Sequence, residues 1–390
     1  MTEIHGSTAP GFERVRDVFA DNFASQAEVG AAFSAYHHGE KVVDLWGGVA
    51  DPATDAPWQE DSIILVFSTT KGATALCANR LVEQGLLDVD APVARYWPEF
   101  AEAGKADLPV RYLLSHQSGL AWVDDVMTLE EALGWEPVIA ALEKQAPSWE
   151  PGSQHGYHAT TYGWLVGEVV RRISGKSLGT FFRDEVAEPL GLDFWIGLPE
   201  AQEARVVPLI TIPSPEPGPM KDMMDMIMGP ETDLGRALNA PGGAFSPSGD
   251  LAGMDVFNTR EVRAAEIPAA NGVTDARSLA RMYASMVSEV DGVRTLGPGQ
   301  LKAATTQQTS GPNTILMGLD IQFGLGFMLP STLLVQRGTE SFGHYGMGGS
   351  VGWGDPEAEL GFGYVMNRMD IGMAGDLRSA NLMNAVYDSL

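Results

Sequence analysis

Residues 62–81 read SIILVFSTTKGATALCANRL, a stretch in which an apolar run leads directly into a helical pattern. Apolar side chains at positions 73, 76, 77 and 81 share one helical face. The pattern therefore predicts a buried extended segment over 62–67 and a helix that is established by residue 72. Ser68, Thr69, Thr70 and Lys71 occupy the junction between the two.

Two interpretations of this junction are open. If Ser68 begins the helix, Lys71 lies one turn further on, where side chains three residues apart are neighbours. An amine beside a hydroxyl at a helix N-terminus can make the serine a nucleophile. Alternatively, the hydroxyl residues are an ordinary N-cap and the lysine is a solvated side chain. Four residues alone do not decide between these interpretations.

The chain is strongly acidic but otherwise has the composition of a globular protein. Its 390 residues include 51 Asp and Glu against 25 Lys and Arg, a formal net charge of −26. Such a field repels phosphate backbones and anionic membranes, so we expect no nucleic-acid partner and no membrane binding. No stretch reaches the roughly 18 unbroken apolar residues of a membrane span, and residues 1–10 lack the features of a secretory signal. We therefore expect a cytoplasmic protein.

The cysteine and histidine residues give no indication of a metal or cofactor. Cys77 is the sole cysteine, and its place on the apolar face of the predicted helix indicates a buried structural thiol. His37 and His38 fall at a hairpin turn, and His155 and His158 lie in a loop, without carboxylate or cysteine partners at ligand spacing. The sequence predicts no metal site and no cofactor, and it gives no indication of the oligomeric state.

Strand patterns occur at both ends of the chain, with helical patterns between them. An amphipathic helix is predicted over 11–26, followed by a hairpin that joins 31–36 to 41–46. Further helices are predicted over 72–85, 129–144 and 161–174, the last ending at Gly175. The C-terminal third is predicted as a helix over 274–288 capped by Thr274, strands over 324–329, 341–353 and 361–367, and a closing helix over 375–389.

This order predicts one α/β domain built from residues 1–75 and 240–390, with a mainly helical domain of residues 76–239 inserted into it. Residues 207–230 stand out because they combine several prolines with a methionine cluster between Met220 and Met228. An irregular loop or linker is the favoured interpretation of this segment. A mobile lid over an apolar substrate is the alternative, because methionine adapts to irregular surfaces.

A serine and lysine pair needs three further parts to cleave an acyl bond: a proton relay, an oxyanion hole and a wall that positions the substrate. Tyr157 is the candidate relay, because it lies on a loop just before a predicted helix, where a side chain can be presented to a site. The wall candidate is the strand segment FGHYGMGGSVG of residues 342–352, whose glycines allow a close backbone approach.

Together these motifs resemble the serine β-lactamase and penicillin-binding-protein superfamily. The order and spacing of Ser68-x-x-Lys71, Tyr157-x-Ala159 and His344-x-Gly346 are most similar to the class C-related branch that includes the family VIII carboxylesterases. The segments 86–93, 113–120 and 151–152 carry further similarities, and the resemblance covers roughly residues 25–385. It implies a β-lactamase-like fold, α/β plus all-α, with an antiparallel sheet flanked by helices and built from both termini.

The resemblance also implies roles for individual residues. Ser68 would attack the acyl carbon, Lys71 with Tyr157 would take its proton, and Tyr157 would protonate the departing alcohol. The backbone N–H groups of Ser68 and Met347 would form the oxyanion hole. Contacts to a small-molecule ester substrate are expected from these residues: His344, Tyr345, Gly346, Ala159 and Trp353. Trp122 and the methionine cluster are further pocket candidates, with a core position as the alternative for both tryptophans.

Two departures from the superfamily pattern favour esters over β-lactams. His344 stands where β-lactam-recognising members carry a lysine, and histidine with its unperturbed pKa of about 6.5 is mostly neutral at pH 7. Ala159 stands where those members usually carry asparagine. The sequence therefore predicts a serine carboxylesterase. Amide or peptide hydrolysis of the D-aminopeptidase or oligoamide-hydrolase kind, acyl transfer, weak β-lactamase activity and a non-catalytic binding protein on the same fold are the alternatives.

A second serine motif does not indicate a nucleophile. Residues 348–352 match Gly-x-Ser-x-Gly, but that motif requires a strand, a sharp turn and a helix to expose its serine. Here another strand is predicted after Ser350, so we interpret this serine as structural.

Overall fold

The structure is a computed structural model that describes residues 2–213, 215–245, 251–331, 337–370 and 376–390. The strands are β1 Ile4–Thr8, β2 Gly30–His37, β3 Glu40–Asp51, β4 Ala56–Pro57, β5 Ile64–Leu65, β6 Phe194–Trp195, β7 Val273–Thr274, β8 Gln322–Phe323, β9 Met328–Leu329, β10 Phe342–Tyr345, β11 Val351–Asp355 and β12 Leu360–Met366. The α-helices are α1 Glu13–Ser25, α2 Thr70–Glu83, α3 Val110–Leu114, α4 Leu129–Leu133, α5 Glu136–Lys144, α6 Thr161–Ser174, α7 Leu178–Phe182, α8 Glu188–Leu190, α9 Pro219–Met228, α10 Asp233–Leu238, α11 Arg260–Ala264, α12 Ala276–Val287, α13 Pro298–Thr305 and α14 Leu377–Tyr387.

One large antiparallel sheet joins the two ends of the chain. Its strand order over the described residues is β1-β3-β2-β12-β11-β10-β9-β8, with β4 added to β3. The joining pair is β2 with β12, which runs in continuous register from His37 opposite Leu360 to Ala31 opposite Met366. This confirms the predicted sheet of both termini. A second, small sheet has the strand order β5-β7-β6. Its strand β5 precedes α2 along the chain by a few residues.

Helices cover both faces of the large sheet. On one face α12 packs closely because the opposing strand positions are glycines: a Cβ at Gly361 would lie 2.3 Å from the backbone nitrogen of Ala284. On the other face, Tyr364 of β12 contacts Glu28, which in turn binds Arg378 of α14. Helix α2 is buried along most of its length against α6 and α7.

Several predicted elements differ in detail from the observed ones. The predicted helix over 129–144 is two helices, α4 and α5, because Trp135 has a left-handed backbone with φ of 55° between them. Helix α12 is capped by Asp275 rather than Thr274, since the Asp275 carboxylate accepts the Ser278 N–H. Residues 219–228 form helix α9 and not the irregular loop that was favoured for this segment.

The C-terminal helix α14 begins after Asp376, whose carboxylate accepts backbone N–H groups of the first turn. Residue 375, the predicted start of this helix, lies outside the described residues. The domain boundaries at 75/76 and 239/240 remain a prediction. Across the described part of the chain, no helix has the length and apolar character needed to cross a bilayer.

Candidate active site

The segment before α2 holds Ser68 in a constrained turn. After β5 the chain makes a 3-10 turn at Phe67–Thr69 and continues into α2. Phe67 has a φ of 44°, a left-handed conformation that a non-glycine residue adopts only when its surroundings enforce it. The Thr70 hydroxyl contacts this residue, because it donates to the Phe67 carbonyl at 2.6 Å and accepts the Gly272 N–H at 2.9 Å. Ser68 is left partly exposed at the helix start.

Lys71 is fully buried beside Ser68. Its Nζ lies 3.0 Å from Ser68 Oγ, 2.6 Å from the Ala159 carbonyl oxygen and 3.0 Å from the Ala269 carbonyl oxygen. Burial without a carboxylate partner among the described residues lowers the pKa of Lys71 well below its ordinary value. A neutral amine has two N–H bonds and one lone pair. In that form the two carbonyls accept both N–H groups and the lone pair faces Ser68 Oγ, whereas in the protonated form Nζ donates to all three oxygens.

Tyr157 is the third member of this cluster. Its backbone N–H donates to Asn313 Oδ1 at 3.1 Å, its ring centroid lies 4.8 Å from Lys71 Nζ, and its hydroxyl is within hydrogen-bonding reach of Ser68. Burial raises the pKa of the Tyr157 phenol above its ordinary value. The hydroxyl therefore stays protonated at neutral pH and is suited to donate a proton.

His344 forms a neutral wall beside Tyr157, with 6.1 Å between the two ring centroids. Its Nδ1 is 2.7 Å from the carbonyl oxygen of Tyr345, so the proton of the neutral ring is on Nδ1 and Nε2 carries the lone pair. Burial lowers the pKa of His344 well below its ordinary value. The direction of this shift agrees with the neutral state expected of the side chain at pH 7.

Two further buried histidines support the loop of Tyr157. His116 Nδ1 accepts the His158 backbone N–H at 3.1 Å, and the His158 ring lies between the Ser118 hydroxyl at 2.8 Å and the Gly156 carbonyl at 2.6 Å. Burial lowers the pKa of His158 to about 4 and that of His116 well below its ordinary value. Both rings are neutral, so they add no positive charge beside Lys71.

The chain after β10 forms a tight turn. The Gly349 N–H donates to the Gly346 carbonyl at 3.2 Å, and the Gly346 N–H donates to the Ser350 carbonyl at 2.8 Å. Gly348 has a φ of +87°, as the third residue of a type II turn requires. Met347 is the second residue of this turn, and its N–H has no acceptor among the described residues.

Ser350 fixes this turn to the segment that carries the nucleophile. Its hydroxyl donates to the Val66 carbonyl at 2.9 Å and lies 2.9 Å from Thr69 Oγ1. The N–H groups of Ser68 and Met347 are thereby in adjoining segments, and within the described ranges the Ser68 N–H likewise has no acceptor. The position of Ser350 fits the structural role predicted for it.

Not all predicted site residues come together. Gly346 lies against Val66, where a Cβ would be 2.2 Å from the carbonyl oxygen, and Ala159 contributes its carbonyl rather than its side chain. Trp353 pairs with Gly343 on the sheet face opposite His344, is fully buried, and packs against the Tyr345 ring at 5.4 Å. The structure corrects the expectation for these two aromatic side chains, because the strand register directs them away from Lys71.

Trp122 is buried and stacks under the guanidinium of Arg236 at 4.2 Å. Met220, Met223 and Met226 are exposed on α9. Their part in a substrate pocket stays a prediction.

Some residues of the site were not identified from the sequence. The Ala269 carbonyl carries no signal in the sequence, because any residue type supplies the same oxygen. Asn313, which is fully buried and fixes the Tyr157 backbone, lies 156 positions away from it. The described residues contain no cluster of three or more His, Cys, Asp or Glu side chains that could hold a metal ion.

Comparison with known proteins places this site in a family context. The family described as "Beta-lactamase" matches residues 15–386. "Esterase/beta-lactamase LipL" of Mycobacterium tuberculosis is 36% identical over 376 residues, which cover 94% of this chain and 83% of the relative. A crystal structure of a family VIII carboxylesterase superposes with a TM-score of 0.88 at 37% sequence identity. The structure of a penicillin-binding protein homolog from Caulobacter crescentus superposes with a TM-score of 0.87, also at 37% identity. Each alignment covers 100% of both chains.

Proposed function

This chain belongs to the beta-lactamase family, and we propose that it is a serine carboxylesterase that hydrolyses small carboxylic esters through an acyl-enzyme on Ser68. The observation that carries the proposal is the environment of Lys71. Its Nζ is 3.0 Å from Ser68 Oγ, is buried without a counter-ion among the described residues, and is bound by two backbone carbonyls. The names of its relatives, an esterase/beta-lactamase and a family VIII carboxylesterase, support ester hydrolysis as the reaction.

Acylation begins when the neutral Lys71 amine takes the Ser68 hydroxyl proton while Oγ bonds to the ester carbonyl carbon. The N–H groups of Ser68 and Met347 stabilise the oxyanion that forms. The intermediate collapses, the bond to the alkoxy oxygen breaks, and Tyr157 donates its phenol proton to the departing alcohol. Lys71, now an ammonium, returns a proton to the Tyr157 oxygen. All charges created in the step are thereby neutralised.

Deacylation uses the same groups in reverse. Water attacks the acyl carbon, and its proton passes by way of the Tyr157 oxygen to the neutral Lys71 amine. The carbonyl oxygen again occupies the oxyanion hole. Ser68 Oγ leaves as the carboxylic acid forms and recovers its proton from Lys71. The raised pKa of Tyr157 and the lowered pKa of Lys71 support the phenol as proton donor and the amine as base.

The polar character of the site supports esters as the preferred substrates. Burial keeps His344 uncharged, so the wall strand offers no cation for the carboxylate of a β-lactam. Ala159 has no side-chain amide to bind a substrate amide group. Because a relative at 36% identity is named esterase/beta-lactamase, weak β-lactamase activity is a second candidate function.

Ser68→Ala tests the assignment of the nucleophile. We expect hydrolysis of p-nitrophenyl butyrate to fall by about 10⁴-fold or more, because no other group can form the acyl-enzyme. Ser350→Ala should retain at least a tenth of the activity, since its hydroxyl aligns the Met347 turn with the Ser68 segment but forms no bond to the acyl group. Intact-mass detection of a fluorophosphonate adduct, followed by peptide mapping, should place the label on Ser68. A label on Ser350, or no label on the folded protein, would contradict the proposal.

A substrate panel separates the proposed reaction from its alternatives. The panel contains a short-chain ester, the matching D-amino-acid amide and a chromogenic β-lactam, all assayed at the same enzyme concentration. We expect kcat/KM to be highest for the ester and lowest for the β-lactam. A higher kcat/KM for the amide would indicate an amidase. A kcat/KM for the β-lactam equal to that for the ester would favour the second candidate function, β-lactamase activity.

A further inference from the structure

The turn that presents the Met347 N–H is bound through its Gly348 carbonyl to residues on the other side of the turn. The Gly348 carbonyl oxygen accepts two hydrogen bonds, one from the Asp370 backbone N–H at 3.0 Å and one from Arg378 Nη2 at 3.0 Å. Space at this point is tight, because a Cβ at Gly349 would lie 2.9 Å from the same guanidinium nitrogen. Arg378 therefore packs directly under the turn as well as bonding to it.

Arg378 is itself fixed in place. Its side chain is only 2% exposed although it begins on the C-terminal helix α14. Nη1 donates to Glu28 at 3.0 Å and to the Arg368 carbonyl at 2.9 Å, and the Asp376 carboxylate accepts from Nε at 2.9 Å. A guanidinium presents five N–H donors in a rigid planar fork. With these partners the fork has one orientation, and Nη2 is held toward Gly348.

The Glu28 carboxylate completes the network on the far side. One of its oxygens accepts from Arg378, and the other accepts the hydroxyl proton of Tyr364 in the centre of β12. Glu28 lies just before β2 in sequence and Arg378 lies 350 residues later. The network thus joins the start of β2, the middle of the sheet and α14 to a single turn beside the catalytic cluster.

We propose that Arg378 is a positioning residue for the oxyanion hole, which it holds in register by binding the Gly348 carbonyl of the turn that presents the Met347 N–H. The proposal rests on the esterase function and on the oxyanion role of Met347 proposed above. An oxyanion donor acts only if it is aimed at the oxygen before the reaction, because rearrangement during the step removes its advantage. Without Arg378, the Gly348 carbonyl keeps the Asp370 N–H as its donor among the described residues, and the turn loses the side-chain support on the side opposite the Ser350 contact with Val66.

The test compares Arg378→Lys with a matched arginine elsewhere. Lysine keeps the charge but cannot reach Glu28, Asp376 and Gly348 at once. Removing one oxyanion donor costs about 10²–10³ in kcat, so a misaligned donor should cost roughly 10- to 100-fold, with KM within twofold. Arg263→Lys is the control, because Arg263 is also a poorly exposed arginine that binds a carboxylate, Glu203, and a backbone carbonyl, that of Asn258. We expect it to lower thermal stability and leave kcat within twofold.

A second measurement separates an effect on the oxyanion hole from a general loss of stability. The ratio of kcat/KM for an ester to kcat/KM for its thionoester reports hydrogen bonding to the carbonyl oxygen, since sulfur is a poor acceptor. We expect this ratio to fall about tenfold in Arg378→Lys and to stay at the wild-type value in Arg263→Lys. If Arg378→Lys does not fold, Glu28→Gln loosens the same fork more gently and should lower the ratio by a smaller factor.

The proposal is overturned if the folded Arg378 variant, or Glu28→Gln in its place, keeps both kcat and the thionoester ratio. It is also overturned if Arg263→Lys changes them equally, because the effect would then reflect stability alone. Failure of the proposed function gives a different result: the fluorophosphonate label on wild-type protein would be absent from Ser68. A label on Ser68 with an unchanged ratio in the variants would remove the positioning role and leave the esterase assignment intact.

Discussion

Two buried polar clusters lie on opposite faces of the large sheet, and they differ in charge. The front cluster of Lys71, Tyr157 and His344 has no counter-ion among the described residues, and burial drives each member toward its neutral form. The back cluster joins Arg378 to the carboxylates of Glu28 and Asp376 at hydrogen-bonding distance. Burial without a counter-ion lowers the pKa of Lys71, whereas the carboxylates beside Arg378 raise the pKa of that guanidinium and hold its charge in place, even though burial also raises the pKa of Glu28.

This difference suits the two tasks. A general base must be neutral near the working pH and must be able to exchange its proton, which an ion pair would prevent. A support under an oxyanion hole must not move, and removing one partner of a buried ion pair typically costs about 3–5 kcal/mol. The front cluster therefore performs the proton transfer, and the back cluster stabilises the geometry in which the transfer takes place.

The largest expected effect in the front cluster comes from Lys71→Met. Loss of a positioned general base typically costs about 10²–10⁴ in rate, and we expect kcat/KM for p-nitrophenyl butyrate to fall by about 10³-fold. The protein should remain folded, because methionine fills the lysine volume, and leaving the Ala159 and Ala269 carbonyls without this donor should cost about 1–3 kcal/mol.

Lys105→Met is the matched control for this substitution. Lys105 is also fully buried and also donates to two backbone carbonyls, those of Glu143 at 2.9 Å and Gln145 at 2.5 Å, but it lies outside the site. We expect a stability loss of about 1–3 kcal/mol from the two unsatisfied carbonyls and a kcat within twofold of wild type. An equal loss of activity in both variants would remove the special role of Lys71.

The pH profile gives the next largest effect. Only neutral Lys71 accepts the serine proton, so activity is lost as pH falls through the lowered pKa of Lys71, by about tenfold per unit below it. The kcat/KM of a neutral ester should reach its plateau well below pH 10.5, the ordinary lysine value. Because the pKa of Tyr157 is raised, its ionisation should cause no loss of activity on the alkaline side below pH 10.

The same shift links Lys71 to stability. The unfolded chain binds a proton on this lysine over a pH range in which the folded chain does not, so the free energy of unfolding should rise with pH through that range. Urea unfolding at several pH values measures this slope, with Lys71→Met as the control that lacks it. A plateau of activity reached only above pH 10 would show that the front cluster leaves Lys71 charged.

The smallest expected effect on activity comes from a substitution on the sheet face opposite His344. Trp353→Phe removes part of a fully buried side chain, which should destabilise the fold by about 1–3 kcal/mol. The KM for esters of different alcohol size should stay within twofold of wild type, because the Trp353 ring lies on the face opposite His344. A change in ester preference would instead return Trp353 to the substrate pocket.

Local sequence patterns predicted much of the fold. Helices α1, α2 and α6 and the hairpin of β2 and β3 follow from periodicity and turn residues, since each depends on neighbours a few positions apart. The break at Trp135 and the helix over 219–228 were not predicted. The prolines of residues 207–230 all lie outside the interior of α9: Pro219 is in its first turn, where a missing N–H costs nothing, and Pro230 follows its end.

The sequence by itself determined which chemical groups are available and in what order: Ser68, Lys71 and Tyr157, and a histidine in place of a cation at position 344. Only the tertiary structure decided what state they are in. The lowered pKa of Lys71 comes from burial, and the carbonyls of Ala159 and Ala269 that hold its Nζ have no residue type that a sequence could reveal. The face that Trp353 occupies depends on strand register. The contact from Arg378 to the turn at Gly348 depends on how α14 packs against the sheet, which no local pattern records.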